Sequence, residues 1–360
     1  MKVAILGAGG GGLAAAADWS LAGHEVRIFD FKEFSENIAA INAQGGITAE
    51  GDLNGFAPVR YAGHSIETAV SDVDVILAVG PAYSTAAFAH AVKEHIDPKQ
   101  YYVVCPGSCG GALITKKIFS ENVNAQHVCI SETSTLPYAA RLTSPNAVKV
   151  FLRLKGGLLL ATIPGSRADQ SLEIFRQVYS HAEKAANVLQ TMLQNANPVI
   201  HPVVTLMNAA LIERTGGQFL FYEEGVTPAV GNLIKAVDEE RIAIGAKLGV
   251  TILPDPEMGC LQGYMTEANY KTGYAHAPGF KGIMAQSKLD YRYFNEDVGY
   301  GLVFMADLGK QAGVDTPMID AVINLASAAM EKDYRALAAR TLDKIGYSIE
   351  EILHETFDSD

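Results

Sequence analysis

Residues 2–12 read Lys-Val-Ala-Ile-Leu-Gly-Ala-Gly-Gly-Gly-Gly, and this stretch decides the fold. The apolar run at its start predicts a short buried strand, and the Ala-rich residues after it predict a helix. Between strand and helix lies a match to the pattern G-x-G-x-x-G, formed by Gly7, Ala8, Gly9, Gly10, Gly11 and Gly12. The pattern alone is weak, but the strand before it and the helix after it make it specific.

This glycine turn has the properties needed to hold the pyrophosphate of a dinucleotide. Gly7 permits the tight turn, Gly9 lets the backbone approach the phosphates, and Gly12 lets the helix pack close to the strand. The free N–H groups and the positive end of the helix then face the phosphates. We therefore predict that residues 7–12 bind a dinucleotide cofactor.

Asp30 ends the second predicted strand, where such sites carry an acidic residue. Its carboxylate would accept hydrogen bonds from ribose hydroxyls and repel a 2′-phosphate. This predicts NAD as the cofactor, with NADP less favoured. Two alternatives stay open: Asp30 begins a surface turn, or Lys32 lets the site tolerate the extra phosphate of NADP.

The first half of the chain alternates short apolar runs with amphipathic stretches, a pattern typical of a Rossmann-type, doubly wound α/β sheet. Strands are predicted at residues 3–6, 26–29, 73–79, 101–105, 127–131, 148–154 and 158–163. Helices are predicted after residue 12 and around residues 83–95, 111–120 and 167–180. Lys155-Gly156-Gly157 is a turn signal that predicts a hairpin between the last two strands.

Two loops follow predicted strands, at the sheet edge where open α/β sheets bind their ligands. Pro81 and Ala82 come after one strand and Gly107 after the next, so we add all three to the predicted cofactor site. Cys105 and Cys109 flank the second loop, but no spacing of His or Cys completes a tetrahedral set around them. We predict no metal.

From about residue 190 the strand signals stop, and consecutive helices follow. Thr227-Pro228 and Thr316-Pro317 each pair an N-cap threonine with proline at the first helical position. Ser348-x-x-Glu351 is a capping box at the start of a last, acidic helix. The predicted domains are residues 1–188, which bind NAD, and residues 189–360, which form an all-helical substrate and catalytic domain.

Composition excludes several function classes. The 360 residues include 28 Lys and Arg against 40 Asp and Glu, a net charge of −12 without any basic cluster, so nucleic acid is not an expected partner. No apolar run is long enough to predict a membrane span. Four cysteines in a chain of this length suit a reducing compartment, and glycines interrupt the only stretch that resembles a signal peptide. These features predict a cytoplasmic protein.

His201 stands out among the nine histidines. It begins a mostly apolar helix in which His201, Thr205 and Asn208 lie within about 60° of one another, forming a polar stripe. A polar stripe on an apolar helix faces either solvent or a cleft, and we expect a cleft. The alternative is a histidine that caps the helix or is solvated.

A second candidate segment runs from Arg292 to Leu302. Asp297 would fix the tautomer of a neighbouring histidine and stabilise its imidazolium form. Arg292 offers a planar, two-pronged site for a carboxylate. The sequence alone does not pair these residues with His201, and the alternative is an ordinary helix start in which acidic residues complement the dipole.

Five motifs in order resemble the octopine/nopaline (opine) dehydrogenase family over nearly the whole chain. They are Gly7 to Gly12, Pro106-Gly107-x-x-Gly110-Gly111-Ala112-Leu113, Glu132-Thr133 with Leu136-Pro137-Tyr138, Asn197-Pro198-x-x-His201-Pro202, and Glu296-Asp297 with Tyr300-Gly301-Leu302. The chain departs from the family at Gly10, where a polar residue is common, and at Gly299, where proline is common. Neither change removes a chemical group.

The resemblance implies a Rossmann domain followed by an all-α domain, with His201 and Asp297 as the catalytic pair and Arg292 as a carboxylate anchor. It implies reductive condensation of a pyruvate-like α-keto acid with the amine of an amino acid, through an imine and with NADH. We expect a second carboxylate near Thr205 and Asn208, and a homodimer as the candidate assembly. The alternatives are a reductase of a single keto acid, of the ketopantoate or 2-hydroxyacid type, and a dinucleotide sensor without turnover.

Overall fold

The computed structural model describes residues 1–357, which fall into two compact units. Of the described residues, the first comprises Met1–Leu154, Leu158–Val188 and residues 353–357, and the second comprises Lys155–Gly157 and Leu189–Ile352. Within the described residues, no helix combines the length and the apolar character that crossing a membrane would require.

The first unit contains two sheets. Its strands are β1 (Lys2–Leu6), β2 (Glu25–Phe29), β3 (Gly46–Gly51), β4 (Gly55–Pro58), β5 (Tyr61–Gly63), β6 (Val75–Val79), β7 (Tyr101–Cys105), β8 (Cys129–Thr133), β9 (Tyr138–Ser144), β10 (Ala147–Arg153), β11 (Leu158–Ile163) and β12 (Ala182–Lys184). The larger sheet has the order β12-β11-β8-β7-β6-β1-β2-β5, and the smaller has the order β4-β3-β10-β9.

The larger sheet is parallel except between β8 and β11. Strands β6, β8 and β11 are buried along their whole length, as expected for a sheet covered on both faces. The covering helices are α1 (Gly10–Leu21), α2 (Ser35–Gln44), α3 (Ile66–Val70), α4 (Thr85–Val92), α5 (Gly111–Phe119) and α6 (Ala168–Phe175). The predicted α/β class is confirmed, and each of the seven predicted strands overlaps an observed one.

The predicted hairpin between β10 and β11 is wrong. Strand β10 pairs with β3 and β9, whereas β11 pairs with β8 and β12 in the other sheet. Their burial differs accordingly, because β10 alternates buried and less buried residues while β11 is buried throughout. The residues between the two strands form hydrogen bonds with Gln262. Lys155 N donates to Gln262 O at 3.1 Å, and Gln262 Nε2 donates to Gly157 O at 3.3 Å.

Helices joined by loops make up the rest of the described chain. They are α7 (Val188–Gln194), α8 (Asn197–Met207), α9 (Ala209–Thr215), α10 (Pro228–Lys247), α11 (Asp255–Gln262), α12 (Gly273–His276), α13 (Arg292–Asn295), α14 (Val303–Ala312), α15 (Pro317–Met330), α16 (Tyr334–Leu337), α17 (Leu342–Ile345) and α18 (Ile349–Phe357). A π-helical segment, Asp297–Leu302, precedes α14. One isolated antiparallel bridge joins Leu220 to Met284.

Two of the three predicted helix caps are confirmed. Thr227 accepts a hydrogen bond from the N–H of Val230, and Ser348 exchanges hydrogen bonds with Glu351 at the start of α18. The third is wrong, since the side chain of Thr316 makes no cap bond. The carboxylate of Glu240 instead accepts from the first N–H groups of α15, those of the two residues after Pro317, at 2.7 and 2.8 Å. A residue distant in sequence therefore caps α15 in place of the neighbouring threonine.

A buried charged cluster holds α10 and α11 together in the second unit. Asp238 and Arg241 form a fully buried ion pair at 2.6 Å. The carboxylate of Asp238 accepts from the backbone of Asp255, and Tyr274 donates to the Asp255 carboxylate at 2.5 Å. Burial, together with repulsion from Asp238, raises the pKa of Asp255 to about 6.

Candidate functional site

The glycine turn is tight because backbone atoms occupy the space that side chains would need. Gly7 has φ +109°, and its N–H donates to Phe29 O at 2.8 Å. A Cβ at Gly7 would lie 2.3 Å from Val79 O, and one at Gly12 would lie 1.9 Å from Gly7 O. Both glycines are therefore required by the close approach of β1, β6 and α1.

Gly9 differs from these two glycines, because among the described residues no heavy atom outside its immediate chain neighbours lies within 4 Å of the position its Cβ would take. It is the N-cap of α1 and has extended backbone, so the first N–H groups of a twelve-residue helix begin beside open space. A helix N-terminus next to a glycine that leaves space is the arrangement that accepts a pyrophosphate. The turn fits the dinucleotide that the sequence predicts.

Asp30 is buried, with 6% of its surface exposed, and it fastens the turn. Its two carboxylate oxygens accept from the N–H groups of Ala8 at 2.7 Å and Phe31 at 2.8 Å. Asn37 donates to Ala8 O at 2.7 Å, and His64 Nδ1 lies 2.7 Å from Asp30 O. Burial raises the pKa of Asp30, while the two backbone hydrogen bonds act in the opposite direction. The alternative that Asp30 merely begins a surface turn does not hold.

The predicted strand-end loops lie at the same edge of the sheet as the glycine turn, since β6 and β7 run parallel to β1. Pro81 and Ala82 follow β6, and Gly107 follows β7. A Cβ at Gly107 would lie 2.5 Å from the carboxyl carbon of Glu132, whose carboxylate accepts from Ala112 N at 2.8 Å. Glu132 is fully buried, so this loop is built around a carboxylate.

Cys105 and Cys109 are both buried free thiols. Burial raises the pKa of Cys105 to about 12. Because the thiolate is the form that ligates metals, a thiol that stays protonated is a poor ligand.

His201 lies in α8, and its ring is buried in the second unit. Its Nδ1 is 2.8 Å from the carboxylate of Asp297, and its Nε2 is 3.0 Å from the hydroxyl of Tyr222. The ring of Tyr293 stacks on the imidazole at 4.0 Å, and Phe221 meets it at 6.0 Å. Both ring nitrogens of His201 are thus hydrogen-bonded, and the aromatic contacts fix the orientation of the ring.

Arg292 begins α13, and its Nε lies 3.1 Å from the carboxylate of Glu296. Its side chain is 45% exposed, in contrast to Asp297, which lies later in the same segment and is buried. Burial acts to lower the pKa of Arg292, but attraction to Glu296 and Asp297 outweighs it and raises that pKa. The guanidinium is a permanent, partly exposed cation held by one carboxylate.

Thr205 and Asn208 do not form the open polar stripe that the sequence predicts. Thr205 is fully buried, and its hydroxyl accepts from Gln286 Nε2 at 3.0 Å. The amide of Asn208 donates to Val204 O at 2.9 Å and Gly225 O at 3.0 Å. Because these contacts use both amide hydrogens and bury the hydroxyl, the prediction that the two residues bind a substrate carboxylate is not supported.

Comparisons with known proteins identify the family of the chain. A family model described as NAD/NADP octopine/nopaline dehydrogenase, alpha-helical domain, matches residues 184–330. Vitopine synthase of Allorhizobium ampelinum (strain ATCC BAA-846 / DSM 112012 / S4) is 26% identical over 95% of this chain and 94% of its own length. An opine dehydrogenase of Arthrobacter sp. (strain 1C) is 38% identical over 346 residues, covering 96% of this chain and 95% of that protein.

The chain belongs to the opine dehydrogenase family. It is an NAD(P)-dependent oxidoreductase that acts on CH–NH bonds. The fold agrees, since a solved octopine dehydrogenase with NADH and L-arginine matches with a TM-score of 0.80 at 17% identity, over 100% of this chain and 99% of that one.

The two departures from the usual opine dehydrogenase pattern, Gly10 and Gly299, lie where the structure leaves room for a Cβ. A Cβ at Gly10 would make its nearest contact at 3.6 Å, and one at Gly299 would meet the ring of Tyr334 at 3.4 Å. Both distances are ordinary van der Waals contacts. Neither glycine is required to avoid a clash at Cβ, so an added Cβ fits at either position.

Several residues of this opine dehydrogenase site escape prediction from sequence. Tyr222 and Phe221 lie in a loop whose pattern gives no signal. They follow the bridge between Leu220 and Met284, and both contact the ring of His201. Tyr293 lies inside the predicted segment that begins at Arg292. Its position directly after Arg292 is the clue that the sequence offers.

Proposed function

We propose that this chain condenses a pyruvate-like α-keto acid with the amino group of an amino acid, using NADH and His201 as the base. The observation that carries the proposal is the buried contact of 2.8 Å between His201 Nδ1 and Asp297. Residues 1–188 would form the domain that binds the cofactor, and residues 189–360 the domain that supplies the catalytic groups.

A base is required because only an uncharged amine can attack the ketone, and amino acids carry an ammonium group near neutral pH. An ionised Asp297 can only accept a hydrogen bond, so it keeps the proton of neutral His201 on Nδ1 and leaves the Nε2 lone pair to act as base. Once His201 takes a proton, the same carboxylate stabilises the imidazolium. The imidazolium can return its proton as the imine is reduced.

Arg292 is proposed to bind a substrate carboxylate. Its Nε is held by Glu296 and its side chain is 45% exposed, so its position is fixed while donor groups remain accessible. The net charge of −12 repels anionic substrates in general, which makes a local cation necessary. Thr205 and Asn208 are not assigned to the second carboxylate, for which backbone N–H groups remain the candidates.

Gly9 and Gly12 would admit the pyrophosphate, and Asp30 would face the ribose. When bound, the nicotinamide supplies the hydride that reduces the imine carbon. The buried negative charge of Asp30 favours NAD because a 2′-phosphate would be placed near a second anion.

The deciding experiment follows NADH oxidation by its loss of absorbance. The reaction is measured with pyruvate alone and then with a panel of amino acids added. Oxidation that depends on the amine is expected. Equal rates without amine would identify a reductase of a single keto acid, and NADH binding without oxidation under any condition would identify a sensor. His201→Asn serves as the control, with NADH affinity retained and turnover lost.

A cytoplasmic location and a homodimer also remain predictions. Four free cysteines support the first, since thiols persist in reducing compartments. Cell fractionation tests the location. Light scattering coupled to gel filtration tests the assembly, and a mass near the 38.4 kDa of one chain would count against the dimer.

A further inference from the structure

His201 is the proposed base and would accept a proton at Nε2. The hydroxyl of Tyr222 is hydrogen-bonded to that nitrogen. Asp297 holds the proton on Nδ1, so the neutral ring presents a lone pair at Nε2. The hydroxyl of Tyr222 lies 3.0 Å from Nε2 and must donate its hydrogen there. The substrate proton therefore has no direct route to His201 while this hydrogen bond stands.

Tyr222 is held firmly in this position. It is 5% exposed, its ring stacks on Phe280 at 4.1 Å, and Phe221 meets it edge-on at 5.0 Å. The neighbouring main chain is fixed as well, because Phe221 N donates to Ile283 O at 2.8 Å. Moving the phenol away from Nε2 would break aromatic packing on both sides.

The phenol itself can pass a proton on. Burial, reinforced by nearby phenols and carboxylates, raises the pKa of Tyr222 well above its ordinary value, so the hydroxyl stays neutral and remains a donor. A tyrosine oxygen has one hydrogen and two acceptor positions. In the part of the chain that the structure describes, the hydroxyl of Tyr222 hydrogen-bonds to His201 alone. An acceptor position is thus left for a proton donor.

We propose that Tyr222 is a catalytic residue that relays a proton between the substrate amine and His201. The inference rests on the proposed function, in which His201 is the base. In the condensation direction an N–H bond of the ammonium breaks and an O–H bond forms at Tyr222, while the original O–H bond breaks and an N–H bond forms at His201 Nε2. Tyr222 ends neutral, the amine is free to attack, and Asp297 stabilises the imidazolium.

Tyr222→Phe removes the hydroxyl and keeps the ring. A relay predicts that kcat falls about 10² to 10³-fold, within the range for loss of a proton-transfer group, while KM for both substrates and the affinity for NADH change little. Tyr274→Phe is the matched control, because it removes another buried phenol hydroxyl, one bonded to Asp255 and not to His201, and keeps the ring that packs beside Phe280. It should lower the melting temperature and leave kcat within about twofold of wild type.

A second readout separates a relay from a structural role. Two protons move together in a relay, so kcat of the wild type should depend on the fraction of D2O along a curve, and that of Tyr222→Phe along a straight line. If Tyr222→Phe does not fold, 3-fluorotyrosine at position 222 keeps the shape and changes the acidity of the phenol, and kcat should change with it.

The outcomes distinguish the relay from the underlying function. A folded Tyr222→Phe with kcat within about twofold of wild type, or a fluorotyrosine enzyme with unchanged kcat, overturns the relay. If His201→Asn is inactive in the same experiments, the base assignment survives that result. If NADH oxidation does not require an amine, the proposed function fails whatever Tyr222 does.

Discussion

The glycine turn and the His201 cluster differ in the chemical groups they offer to a ligand. The turn offers main-chain N–H groups, and its glycines matter for the side chains they lack. The His201 cluster offers side chains, and its three polar members come from α8, the loop at Tyr222 and the π-helical segment. We therefore expect the glycine turn to be sensitive to added atoms, and the His201 cluster to be sensitive to the loss of single functional groups.

Asp297→Asn tests the side-chain site and should have the largest effect. An asparagine that presents its N–H₂ group to Nδ1 would stabilise the wrong tautomer, and kcat should fall about 10³ to 10⁴-fold, as for the carboxylate of a catalytic triad. NADH affinity, measured by fluorescence titration, should not change. Near-normal kcat would remove Asp297 from the catalytic pair.

Gly12→Ala and Gly9→Ala test the main-chain site as a pair. Both should abolish NADH binding in the titration, but only Gly12→Ala should also lower the melting temperature, because its Cβ would lie 1.9 Å from Gly7 O. Gly9→Ala adds its Cβ to space free of protein atoms among the described residues. Normal NADH affinity in Gly9→Ala would mean that the phosphates bind elsewhere.

Asp30→Ser tests the one side chain on which the main-chain site depends. Serine removes the negative charge but keeps a hydrogen-bond acceptor for the turn. The ratio of kcat/KM for NADH to that for NADPH should fall at least about tenfold, since a like-charge contact costs more than 1.4 kcal/mol. A wild type that already prefers NADPH would contradict the assignment.

Within the described chain Asp255 makes no hydrogen bond to either site, so Asp255→Asn should have the smallest effect, chiefly on stability. The native pKa of Asp255, about 6, lies above the ordinary value of 3.8, so the folded protein binds more protons between these values. The free energy of unfolding of the wild type should therefore fall as pH rises from about 4 to 6. Urea titrations of Asp255→Asn should lack this part of the fall, and identical slopes would show that Asp255 is ionised normally.

The glycine turn could be predicted because its parts are contiguous in sequence. Gly7, Gly9 and Gly12 have separate requirements within one strand–turn–helix unit, and Asp30 closes the next strand. The alternation of strands and helices predicted the sheet for the same reason. The hairpin failed because a turn signal specifies a change of direction and not which sheet receives the next strand.

The His201 site could be predicted only in part. His201, Asp297 and Arg292 were chosen by residue type and family resemblance, but nothing local places residues 96 positions apart within 2.8 Å. Tyr222 was missed because a tyrosine in a loop resembles any buried aromatic residue. Thr205 and Asn208 were chosen by helical periodicity, which identifies a shared face and not whether that face is covered, and Thr205 is fully buried.

The π-helical segment Asp297–Leu302 has a consequence for how this site could be lost. A π turn holds one residue more than the α-helical turn it replaces. Deleting one residue from it would restore regular helix and turn Asp297 by about 100° relative to α14, away from His201. A single codon is therefore enough to separate the carboxylate from the imidazole without replacing either one.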